Sequence, residues 1–142
     1  MKVTSMLAVG ALLSLLSFSQ VASARDEMPC PTVDIIQQTA PQLGYVVFDN
    51  NQYIVSTLGP ILPYSGKNWL VGVIENAKDR DEALVLARQH VKGVTVQHNK
   101  DAIYMRDKNL YVCGYQSGDI AVVAITRADN SVVQGTLIKA YH

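Results

Sequence analysis

The chain has 142 residues, 49% of them apolar, with 12 Lys and Arg set against 12 Asp and Glu. That neutral balance, with basic residues scattered from Lys67 to Lys139, excludes the clustered positive charge that holds nucleic acid or an anionic membrane. The length allows one domain with a real core and is too short for two.

Residues 1–24 read as an export signal. Lys2 supplies the charged start, Met6 to Phe18 the apolar stretch, and Ala22-Ser23-Ala24 the small residues that a signal peptidase reads. The apolar stretch is short for a membrane span, and no later stretch is longer. Cys30 lies five residues beyond the expected new terminus, Arg25, which argues against an acylated lipoprotein cysteine. Removing 24 of the 142 residues leaves 118, and takes away one Lys and no acid, so the mature chain carries 11 basic against 12 acidic residues. The expectation is a single domain over residues 25–142, secreted or periplasmic, with no transmembrane span.

Cys30 and Cys113 are the only cysteines, and in an exported chain they are expected to form one disulfide. The bridge closes a loop that chain-entropy reasoning values at roughly 4–4.5 kcal/mol. A redox pair lacks C-x-x-C spacing, and two cysteines without clustered histidines are too few for zinc.

Pro31 can open a short helix whose apolar side is Val33, Ile35, Ile36 and Thr39, before Pro41 and Gly44 end it. YVVFDNNQYIVST predicts a hairpin turning at Asn50-Asn51, with Phe48 opposite Tyr53 and Val46 opposite Val55. LGPILPYSGKN reads as irregular, and NWLVGVIEN as a strand. Asp79 to Lys92 reads as a helix. Asp79 is its cap, Glu82 completes a capping box, Leu84, Ala87 and Val91 form the buried stripe, and Gly93 marks the stop. Short strands follow at VTVQH and AIYMR. Asn109 to Ala140 then reads as three strands in a meander, its middle run IAVVAIT apolar on both faces as in a central strand. The fold class expected is α+β: an antiparallel sheet of about seven strands with two helices packed on it. One parallel pair is possible around the Asp79–Lys92 helix, and the strand order is open.

The catalytic inventory is thin. There are three His and three Glu, and the G-x-S-x-G, H-E-x-x-H, P-loop and dinucleotide patterns are all absent. No catalytic or metal site is assigned, and the chain is read as non-enzymatic, with an unrecognised hydrolase the weaker alternative. His90, near the end of its helix, fits the helix dipole. His98 follows Val94 and Val96 in its strand and is placed on an apolar face with them. An imidazole there is either a hydrogen-bonded core group or a ligand for iron or haem iron, with Tyr104 and Met105 nearby in sequence. C-x-x-C-H is absent, so covalent c-type haem attachment is excluded.

The MKVTSMLAVGALLSLLS leader, the DEMPCPTVDIIQQ segment, the lone Cys pair and the ending GTLIKAYH together resemble a family of small exported proteins known from Legionella that promote haemin binding. The resemblance spans the chain in length and layout, and carries no ligand motif that transfers residue by residue. It implies a role in acquiring iron from haem outside the cytoplasm, with haemin or a haem-binding envelope component as partner. If haem is ligated directly, His98 is the first candidate and Tyr104 the second. The rival reading is an exported protein-interaction module, such as an inhibitor or envelope-associated factor.

The leader is open to a direct test. Intact-mass analysis of exported protein should place the mature terminus at Arg25 or within two residues of it. A retained Met1 in a membrane fraction, or an acylated Cys30, would overturn the assignment.

Overall fold

The computed structural model describes residues 27–129. Eight strands form an antiparallel sheet, and two helices pack on one face of it. In chain order the elements are α1 (Val33–Gln37), a 3-10 turn (Ala40–Gln42), β1 (Leu43–Asp49), β2 (Gln52–Thr57), β3 (Leu62–Tyr64), β4 (Lys67–Glu75), α2 (Arg80–Lys92), β5 (Val96–Gln97), β6 (Ile103–Met105), β7 (Leu110–Ser117) and β8 (Ile120–Arg127). The spatial order is β1-β2-β4-β8-β7-β5, with β3 also on β4 and β6 also on β7. The anticipated α+β class and antiparallel sheet are present. The parallel pair is not, because β5 lies beside β7 rather than β4 and every described pair is antiparallel.

The first hairpin forms as its sequence predicts. Asn50 and Asn51 both take positive φ, 51° and 62°, the geometry of a type I′ turn. Phe48 then faces Tyr53, with ring centroids 4.8 Å apart, and Val46 faces Val55. The stretch read as irregular contains a second hairpin. Leu62, Pro63 and Tyr64 pair with Trp69, Asn68 and Lys67 across a turn at Ser65 and Gly66, both at positive φ. Pro63 disguised it, since proline is tolerated in so short a strand at the rim of a sheet. The pairing lets Trp69 Nε1 donate to the Tyr64 carbonyl at 3.1 Å, so the fully buried indole keeps a partner.

Strand β4 alternates between two environments. Trp69, Val71, Val73 and Glu75 share one parity, the side of the helices, while Leu70, Gly72 and Ile74 share the other. Helix α2 begins with reciprocal bonds: Asp79 Oδ1 accepts from the Glu82 amide at 2.8 Å, and Glu82 Oε1 accepts from the Lys78 amide at 2.8 Å. Its buried stripe is Ala83, Ala87 and Val91, with Leu84 only partly covered, which corrects the expected Leu84 stripe. Two alanines at the contact let the helix sit close to the sheet, and a leucine is pushed to the flank. Arg80 donates to the Val46 carbonyl and Arg88 to the Leu43 carbonyl, each at 2.9 Å, so α2 is also tied to β1. Gly93 ends the helix at an ordinary negative φ. A Cβ there would meet Ser117 Oγ at 3.0 Å, so its small size serves the close approach to β7.

Helix α1 is shorter than expected. Its cap is Thr32, and Pro31 stands before the cap rather than at the first helical position. The Pro31 carbonyl accepts the buried Tyr115 hydroxyl. Burial, with Tyr64 second, pushes that phenol far above its ordinary range, so it stays a donor. The disulfide joins Cys30, three residues ahead of α1, to Cys113 in β7, with Cα atoms 5.8 Å apart. Pro29 bridges Asp101, the Cys30 amide donates to the Lys100 carbonyl at 2.9 Å, and Ala102 donates to Met28 at 2.7 Å. The N-terminal segment is thereby laced to the loop between β5 and β6.

Strand β8 is central, as its two-sided apolar run requires, and both of its long sides are occupied, by β4 and by β7. The expected third meander strand, the leader, Tyr141 and His142 all lie outside the described residues.

Replacing both cysteines by alanine should lower unfolding free energy by about 2–5 kcal/mol, the range for a native bridge in a small secreted domain. Urea titrations of oxidised wild type and the double variant measure it. Equal midpoints would show that the lacing at Lys100 and Ala102 suffices alone.

Candidate functional site

The sequence candidates His98 and Tyr104 fall on opposite faces of the sheet. His98 stands opposite Gly114, to whose carbonyl its amide donates at 2.9 Å, and Tyr104 stands opposite Tyr111. Positions 111 and 114 differ by three along β7, which puts their cross-strand partners on opposite sides. The Tyr104 ring packs on Tyr111 at 5.3 Å, on the helix side, and its hydroxyl donates to Asn109 Oδ1 at 2.8 Å. The two residues therefore cannot share one ligand.

The apolar face proposed for His98 is only partly formed. Val94 is fully buried on the helix side, because the strand begins two residues later, at Val96. Val96, opposite Gln116, and Ile103, opposite Val112, do share the His98 face by register. Both are exposed, at 45% and 62%, and so is His98. Its surroundings are an open apolar strip rather than a slot.

Gln116 orients the imidazole. Its Nε2 donates to the Gly118 carbonyl at 2.8 Å, which turns Oε1 toward His98 Nε2 at 2.9 Å. An amide oxygen only accepts, so in the neutral ring Nε2 carries the proton and the Nδ1 lone pair is left as the basic site.

A titratable pair also lies where the end of β4 meets α2. Glu75, the last residue of β4, is 2% exposed and faces the helices. His90, in the last turn of α2, brings Nδ1 within 2.6 Å of its Oε2. Burial raises the Glu75 carboxyl above the usual glutamate range, while the hydrogen bond and charge of His90 pull the other way. The signal was available in the alternation of β4. Glu75 shares its parity with Trp69, Val71 and Val73, and a carboxylate on such a face needs a partner. The pair can share a proton and fasten the strand end to the helix end. No group of three or more His, Cys, Asp and Glu able to hold a metal occurs among the described residues.

A groove between the 3-10 turn and α2, lined by Ala40, Pro41, Arg88, Gln89 and Lys92, is shallow and open, and Arg88 is engaged with the Leu43 carbonyl. Among the described residues, no helix is long and apolar enough to cross a membrane. No protein-family model matches the chain, and no curated protein or solved structure matches it at a significant level.

The Glu75 shift has a definite sign. A buried carboxyl that prefers its proton in the folded state destabilises the fold once ionised, a cost absent at low pH and present above the folded midpoint. Glu75→Gln should therefore gain in Tm relative to wild type as pH rises from 4 to 8. The opposite trend in calorimetry would show that an ion pair with His90 outweighs burial.

Proposed function

We propose that the mature chain is a small exported, non-enzymatic protein that binds haemin in iron acquisition, with His98 as its iron ligand. One observation carries the reading within this fold. His98 is an exposed imidazole with a basic Nδ1, flanked on its own sheet face by the exposed apolar side chains Val96 and Ile103. Iron(III) in haem accepts imidazole, and the porphyrin favours an apolar surface. An open strip contacts only one side of a porphyrin, which suits transient holding and transfer to an envelope component. Tyr104 lies on the other face, so it cannot join His98 on the same haem.

The alternative, a protein-interaction module without a haem ligand, draws on the same exposure. Phe48 at 58%, Leu58 at 65% and Ile103 at 62% are large apolar groups left to water.

A haemin titration of the mature protein separates the two. Binding should shift the Soret band, and His98→Ala should weaken it at least tenfold, about 1.4 kcal/mol. Gln116→Ala removes the acceptor that holds the ring with Nδ1 free, and should weaken binding by less than His98→Ala does. An unchanged titration in His98→Ala removes that residue from the reading. An unshifted Soret band in folded wild type removes haem ligation and leaves the interaction module.

A further inference from the structure

The sheet face opposite the helices carries an apolar cluster whose cover is not among the described elements. Leu70, Leu110 and Ile125 are each 1% exposed and Val123 is 7% exposed. Yet the side chains packed around them, Met105 and Val112, come from the sheet itself, and the buried residues of α1 and α2 all belong to the cluster on the other face. A small apolar cleft lined by Ile54, Leu70, Gly72, Ile74, Val123 and Ile125 lies on this side. Leucine and isoleucine on a sheet face left to water would be largely exposed.

We propose that this face is a docking surface for the chain's own residues 131–140, SVVQGTLIKA. The chain leaves β8 at Arg127, two residues beyond Ile125 and beside Leu110, its pairing partner in β7. At this exit Lys67 Nζ donates to the carbonyl of Ala128 at 2.6 Å, and the Ala128 amide donates to the Asn109 carbonyl at 3.1 Å. The segment that follows starts next to the cluster. It cannot extend the meander beside β8, because β4 and β7 hold both sides. Its ten residues reach roughly 33 Å when extended, and the six-strand span is roughly 24 Å across. Val132, Val133, Leu137 and Ile138 supply the apolar groups, and Lys139 is the only charged side chain in the ten. The other end of the described chain is a poorer source. Glu27 starts beside the Pro29–Asp101 bridge, at the β5–β6 rim, and only two residues precede it once the leader is removed. The inference does not depend on haemin.

Methyl-resolved NMR of the full mature chain tests this directly. Leu137 and Ile138 methyls should give intramolecular contacts to Leu70, Val123 and Ile125. Leu137→Asp combined with Ile138→Asp should raise the fluorescence of the apolar-surface dye ANS severalfold and promote self-association. A synthetic peptide of residues 131–142 should suppress that dye signal in a chain ending at Asn130. Absent contacts in the wild-type spectrum overturn the proposal whether or not the shortened chain folds. Contacts that isotope filtering shows to run between molecules overturn it in favour of a second copy as the cover. A double variant with unchanged dye binding and association also overturns it.

Discussion

The covalent link between Cys30 and Cys113 is the constraint from which the rest of the architecture follows. It fixes a point just before α1 to β7, the strand that also receives β5, β6 and β8. Around it, Asn99 gathers several contacts: its amide nitrogen donates to the Asp101 carbonyl at 2.9 Å and lies 3.4 Å from Cys30 Sγ, while its oxygen accepts from the Gly114 amide at 3.0 Å. Tyr115, two residues along β7, reaches the Pro31 carbonyl. Two strands of two and three residues would be marginal alone, and here they lie on a loop held from both sides. The His98 strip belongs to that region, so the staple also sets the background against which any ligand would bind.

On the other half of the sheet the work falls to close packing and a few polar groups. Alanines let α2 approach, while arginines near each end of the helix reach β1 carbonyls. The Glu75–His90 pair sits where the end of β4 meets the end of α2, and it is buried on the carboxylate side only. Such a pair specifies how the elements meet more than it stabilises them, because removing this carboxylate from water costs more than its partner returns.

Local patterns were readable and relations between distant segments were not. Asn50-Asn51 sets its own turn and therefore its own register, and Asp79 with Glu82 marks a helix start through bonds that span four residues. The disulfide was legible because the sequence holds two cysteines and no metal or redox spacing for them. The β3 hairpin was hidden by Pro63, whose missing amide matters only in a strand paired on both sides. Alternation from Val94 predicts an apolar background for His98, but the strand starts at Val96, after the chain turns out of α2, and Val94 is buried on the helix side. Glu75 and His90 are 15 positions apart, and their contact depends on how α2 lies across the sheet, which periodicity does not encode.

The outermost strand of a sheet is a template on which another chain can add, and here both rims are poor templates. Along β1, the carbonyls of Leu43 and Val46 already accept guanidinium hydrogen bonds, and a bulge between Leu43 and Tyr45 breaks the regular spacing of donors and acceptors. At the far side the rim is divided between β5 and β6, with the loop holding Asn99 and Asp101 between them. An incoming strand finds no more than three consecutive residues to pair with there. Edge-to-edge stacking at the β1 rim is thus opposed by the same arginines that seat the long helix.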